Sequence, residues 1–120
     1  MTVSYSPGEN IAVKVPSHEY EATVEFYKSV LGLSERDVGA APDSVAFAFG
    51  DKTLWVDRVA GLSQAETWLE IRASDVEAAR RQLEDRGCVL RDDIETLPPG
   101  FDGFWLSSPA NTIHLVSGSG

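Results

Sequence analysis

Cysteine occurs once, at Cys88, and methionine once. A single thiol closes no internal disulfide, so the fold has to be held by its core. Histidine is scarce too, limited to His18 and His114. That leaves little imidazole for a metal, and "HEYE" at 18–21 lacks the second histidine of an HExxH helix. No apolar run approaches the ~18 residues that span a bilayer, which argues against a membrane partner. The opening "MTVSYSPGEN" has neither the basic nor the apolar stretch of a signal peptide, so a cytoplasmic location is expected. Basic residues are few, 10 against 19 acids, for a formal net charge of −9. Such a surface repels phosphate backbones and argues against nucleic acid. It either favours a cationic ligand or simply keeps the chain soluble.

What the sequence does contain is order. Its 120 residues are enough for one domain with a real core. "NIAVKV" (10–15) alternates, with Ile11, Val13 and Val15 on one face. "PSHEYEATVEFYKSVLGL" then reads as a helix: Pro16 and Ser17 suit its start, Val24, Tyr27, Val30 and Leu31 recur at helical spacing, and Gly32 ends it. An extended piece is expected over 34–38 and a turn at "GAAPDS". "VAFAF" and "KTLWVDRV" make a hairpin across "GDK". After "AGLSQA" the pattern restarts. "ETWLEIRA" is a strand, and "SDVEAARRQLEDRG" a helix capped by Ser74 or Asp75, with Val76, Ala79 and Leu83 as its apolar stripe and Gly87 as its stop. "CVLRDD" is extended, "IETLPPGFDG" is a Pro/Gly loop, and "FWLSS" and "NTIHLV" form the last hairpin.

The order is therefore strand, helix, three strands, twice over. Matching landmarks keep a nearly constant offset: Asn10 to Trp68 is 58 residues, Gly32 to Gly87 is 55, and Trp55 to His114 is 59. An internal duplication follows, with modules expected at 1–61 and 62–120.

Alternation also sorts the side chains. If Ile11, Val13, Leu54, Val56, Leu69, Ile71, Ile113 and Leu115 face the helices, then Asn10, Ala12, Lys14, Thr53, Trp55, Asp57, Trp68, Glu70, Arg72, Thr112 and His114 face the other way. Trp105 joins this second set when Phe104 and Leu106 pack toward a helix. All three tryptophans thus fall among polar neighbours. Indole walls stack on flat rings and attract cations, at ~0.5–2 kcal/mol per contact. Asp57 and Glu70 beside them suit a cationic or hydrogen-bonding ligand, or else pair with Lys14 and Arg72. Cys88 has no histidine near it in sequence and reads as a small core residue.

"FYKSVLGL", "SDVEAARRQLEDRG" and "FWLSSPANTIHLV" carry a resemblance to the vicinal oxygen chelate superfamily of glyoxalases, bleomycin-resistance proteins and ring-cleaving dioxygenases. The last segment resembles that family's aromatic strand, Asp-Pro-x-Gly-Asn turn and Ile-Glu-Leu strand, with Ser108 in place of the Asp and one turn residue fewer. The resemblance implies an α+β fold in which tandem βαβββ modules form a cup-shaped open barrel. Metal-dependent members place ligands on the first and last strand of each module, which here are Asn10, Trp55, Trp68 and His114. Asn10 offers a weak carbonyl oxygen, the indoles offer none, and one good ligand does not hold a divalent ion. No metal and no cofactor are therefore expected.

"ETWLEIRASD", "LWVDR" and "PANTIHLV" resemble most the bleomycin-resistance branch, whose members are acidic homodimers that sequester a bulky cationic antibiotic. This implies a metal-free small-molecule binding protein for a cationic or aromatic compound such as an antibiotic, acting as a homodimer. Its ligand-binding residues would be Asn10, Trp55, Asp57, Trp68, Glu70, Trp105 and His114, and none would be catalytic. The alternative is a lyase, isomerase or dioxygenase of the same superfamily. That enzyme would depend on a metal, or would use His114 as an acid–base group paired with Glu70 or Asp57.

Overall fold

Alternating apolar residues after Gly8 and the Pro16–Ser17 break set the first strand and helix. The computed structural model describes residues 2–37, 39 and 41–118. Among them the chain forms eight strands and two α-helices, in the order β1 (Tyr5–Val15), α1 (Ser17–Glu25), β2 (Glu35–Arg36), β3 (Ser44–Phe49), β4 (Lys52–Arg58), β5 (Glu66–Ala73), α2 (Val76–Asp85), β6 (Val89–Leu90), β7 (Gly103–Ser107) and β8 (Ile113–Gly118). This is the mixed α+β, twice-repeated βαβββ order that the sequence predicts. The chain divides into two compact units, Glu9–Trp68 and Met1–Gly8 with Leu69–Gly120.

In the unit Glu9–Trp68 the strands lie in the order β2-β3-β4-β1. β3 is antiparallel to β2 and β4, and β1 runs parallel to β4. Pro16, extended at φ −61° and ψ 153°, turns the chain from β1 into α1. The helix ends in a single π turn, Phe26–Val30, closed by the Leu31 N–H donating to the Phe26 carbonyl at 2.9 Å. Gly32 then takes φ +69°, a left-handed angle costly for other residues, and the helix stops there as expected. Val15, Tyr20, Phe47, Leu54 and Val56 form the core between helix and sheet, with Ile11, Val13, Val24 and Tyr27 against it. The extended piece expected over 34–38 pairs only at Glu35–Arg36. Val38, and Ala40 of the following turn, lie outside the described residues.

In the other unit the order is β5-β8-β7-β6, with β5 and β8 parallel and the rest antiparallel. Ala73, Ala79, Phe104, Leu106 and Val116 make its core together with Val3, and Val76, Leu83 and Cys88 pack on them. Cys88 is half-buried at the edge of this core, not within it as its sequence context suggested. Of "CVLRDD" only Val89 and Leu90 pair as a strand. Asp75 caps α2 by accepting a hydrogen bond from the Ala78 N–H at 3.0 Å. Asp75→Ala is expected to lose about 1 kcal/mol of unfolding free energy, readable as a lower urea midpoint. An Asp75→Ser substitution, which keeps a capping oxygen, should lose much less.

One register differs from expectation. Directly opposed residues of an antiparallel pair share a face. Leu106, in the α2 core, opposes His114, and Trp105 opposes Leu115. His114 and Val116 therefore lie on the α2 face, while Ile113 and Leu115 lie on the other, the reverse of the alternation reading. "TIHLV" has apolar residues on both faces, so its pattern alone does not choose. The short turn Pro109–Asn111 chooses: Ala110 and Asn111 are both left-handed, at φ 66° and 58°, and their turn sets Ser107 opposite Ile113. A slip of one residue would exchange the faces.

Candidate functional site

The helix-free face of the unit Glu9–Trp68 holds four of the expected binding residues. Parallel pairing sets Asn10 beside Thr53, Ala12 beside Trp55 and Lys14 beside Asp57, and antiparallel pairing sets Ala46 beside Trp55 and Ser44 beside Asp57. Two alanines thus flank Trp55, which gives its indole room on this face. The Trp55 Nε1–H donates to Asn10 Oδ1 at 2.8 Å. Lys14 Nζ lies 2.8 Å from Asp57 Oδ2, and the two side chains are only 5% and 15% exposed. Asp57 Oδ1 accepts from the Ser44 hydroxyl at 2.6 Å. The Lys14 ammonium also stands 4.3 Å from the centroid of the Trp68 ring, a cation–π distance. Trp68 Nε1–H donates to Glu66 Oε1 at 3.0 Å.

Asn10, Trp55, Asp57 and Trp68 are therefore brought onto one polar and aromatic surface. Of the two readings of Asp57, a ligand-seeking acid or a partner of Lys14, the observed one is the ion pair. Lys14 was visible in the alternation pattern, but the contribution of Ser44 was not. It depends on the β3–β4 register, which a hairpin with several possible turns leaves open.

Glu70, Trp105 and His114 belong to the other unit. Glu70 Oε2 accepts from the Ser117 hydroxyl at 3.1 Å. A Cβ at position 8 would collide with the Glu70 side chain, so Gly8 is what allows β1 to pass there. Trp105 is 6% exposed, and its Nε1–H donates to the Glu95 carbonyl at 3.0 Å. Phe104 and Leu106 pack toward α2 and Trp105 faces away, as expected.

His114 sits apart from this set. Glu70 opposes Leu115 across β5 and β8, so Glu70 and His114 point to opposite faces of the sheet. An acid–base pair of His114 with Glu70 is excluded by that geometry. His114 Nε2 lies 3.1 Å from Ser108 Oγ, and its buried Nδ1 has no hydrogen-bond partner among the described residues. Burial pushes the imidazole below its ordinary value, opposed in part by the nearby Leu69 backbone. The unfolded ring thus takes up a proton before the native one does. Stability from the neutral ring is complete above the ordinary imidazole range. It declines as pH falls through that range, and levels off below the lowered native value. Relative to His114→Gln, the wild type is expected to lose urea midpoint between neutral pH and pH 5, which parallel denaturation curves would show.

At Asn10, Trp55, Trp68 and His114, where the family resemblance implies metal ligands, the side chains present do not make a divalent-ion set. The Asn10 oxygen is engaged by an indole, Trp55 and Trp68 carry only N–H donors, and His114 lies on the helix face. Among the described residues no three His, Cys, Asp or Glu side chains cluster closely enough to hold an ion. No helix among them is long and apolar enough to cross a membrane.

Tandem βαβββ units with these pairings are those of the vicinal oxygen chelate fold, the fold of the glyoxalase/bleomycin-resistance/dioxygenase superfamily. Among solved structures the chain is similar to the Mn(II)-bound glyoxalase from Novosphingobium aromaticivorans, with TM-score 0.72 and 19% identity over 98% of this chain and 40% of that one. It is also similar to homoprotocatechuate 2,3-dioxygenase from Arthrobacter globiformis, with TM-score 0.65 and 17% identity over 93% and 35%. A glyoxalase/bleomycin resistance protein/dioxygenase superfamily member from Vibrio splendidus 12B01 matches with TM-score 0.60 and 10% identity over 91% and 97%. The chain thus spans well under half the length of the first two and nearly the full length of the third. No family model and no curated protein sequence matches the chain.

Proposed function

We propose that the chain is a small-molecule binding protein that acts without a metal and takes a planar aromatic compound, an antibiotic being one such class. The observation that carries this reading is the Asn10–Trp55 hydrogen bond. Two positions that the fold's metal-dependent members use for ligands are here spent on each other, and they leave an indole where a coordinating atom would stand. Trp55 and Trp68 supply faces for stacking, each contributing about 0.5–1.5 kcal/mol beyond area burial. The resemblance to the bleomycin-resistance branch supports small-molecule binding without a metal, though not the cationic ligand of that branch, and with it a homodimer and a cytoplasmic protein.

Tryptophan fluorescence titrated with a panel of planar aromatic compounds tests this. Saturable quenching is expected, unchanged by EDTA, and weakened roughly threefold to tenfold by Trp55→Leu. Turnover of a hemithioacetal or a catechol that EDTA abolishes would overturn the proposal in favour of a metal-dependent lyase, isomerase or dioxygenase. Light scattering at a single-chain mass would remove the homodimer from it.

A further inference from the structure

Among the described residues Lys14 is the one charged residue that is buried, at 4% exposure. Its ammonium makes two contacts that an organic cation bound at this face would make: the 2.8 Å pair with Asp57 and the 4.3 Å approach to the Trp68 ring. The second oxygen of Asp57 is held by Ser44. A carboxylate and an indole face around an ammonium form the chemistry of an amine receptor. Here the occupant is the chain's own side chain, and a tethered group competes at an effective concentration on the order of millimolar or higher. A free amine has to displace that group and leave a lysine charge without its partners.

We propose that Lys14 sets the specificity of this face: it fills the cation subsite built by Asp57 and Trp68, so the face rejects ammonium ligands and takes neutral or anionic aromatic ones. This deepens the proposed function and rests on its assignment of the Trp55–Trp68 face to ligand binding. It also reverses the preference that the net charge of −9 suggests, because the shielded acid of this subsite, Asp57, is already neutralised by Lys14. Overall charge governs long-range attraction, whereas ligand choice is decided by the groups within contact distance.

Lys14→Ala removes the side chain from Cγ to Nζ, and n-propylammonium replaces those atoms one for one. The variant is expected to bind n-propylammonium at least about tenfold more tightly than the wild type, seen as a saturable rise in Tm and a change in tryptophan fluorescence. Equal concentrations of n-propanol or sodium chloride should give neither. Equal binding of n-propylammonium by the wild type would overturn the proposal, and so would a variant that is folded by circular dichroism yet does not bind it. If Lys14→Ala does not fold, reductive methylation of the wild type decides. Lys14 should be modified at least about tenfold more slowly than Lys28, whose side chain is 58% exposed; equal rates would refute its occupancy of the subsite. Neither readout uses an aromatic ligand, so each stands or falls separately from the titration that tests the binding function.

Discussion

Lys14→Met is expected to lower the unfolding free energy by about 3–5 kcal/mol, the cost of leaving one member of a buried ion pair without its partner. Both side chains are well shielded, at 5% and 15% exposure, so solvent screens little of the interaction. The substitution keeps most of the apolar stem and removes the charge. What remains is an Asp57 carboxylate that accepts a hydrogen bond from the neutral Ser44 hydroxyl. Removing both charges should cost less than removing one, since a buried pair replaced by apolar groups of similar volume is often close to neutral. Lys14→Met combined with Asp57→Leu is therefore expected to be more stable than Lys14→Met alone. Urea unfolding followed by circular dichroism gives all the corners of that cycle. Equal losses in the single and double variants would mean that an uncompensated Asp57 charge is not the source of the loss.

Phe47→Ala should cost a similar amount, about 3–5 kcal/mol, for a different reason. Phe47 is fully buried at the centre of the first unit's core, opposite Leu54 on β4 and with its ring 6.0 Å from that of Tyr27. Truncation leaves a cavity walled by a helix and a sheet, neither of which can collapse to fill it. Phe49, two residues along the same strand, is 44% exposed. Phe49→Ala is expected to change stability by no more than about 0.5 kcal/mol. Denaturation midpoints for the two variants should therefore differ widely although the chemistry removed is the same. Because β3 and β4 carry Ser44, Trp55 and Asp57, the Phe47 variant should also weaken aromatic ligand binding, and the Phe49 variant should not.

Much of the architecture was legible before the structure. Strand and helix periods, Asp75 before an apolar stripe, and glycines at 32 and 87 are local signals, and each marks an element that forms. The faces of β1, β4 and β5 followed from alternation, whereas β7, apolar at Phe104, Trp105 and Leu106 alike, was assigned only on the condition that Phe104 and Leu106 face a helix. The faces of β8 did not follow, because "TIHLV" is apolar on both sides and its register is set by two left-handed residues in the preceding turn. That one slip placed His114 with the helix and removed it from the neighbourhood of Glu70.

The candidate site divides in the same way. Alternation placed Asn10, Lys14, Trp55, Asp57, Trp68 and Glu70 on the helix-free faces, but it left open whether Asp57 would greet a ligand or pair with Lys14. Choosing between these requires distances. At 2.8 Å from the carboxylate and 4.3 Å from the indole, the lysine occupies the place that an organic cation would take.

Residue order alone determined the repeated α+β units, their helix ends and the poverty of metal-binding side chains, because periodicity and composition act over a few neighbouring residues. Only the tertiary structure decided which acid meets which base and which way the final strand turns its imidazole. Those outcomes depend on strand register, and register is fixed by turns and by partners far away along the chain.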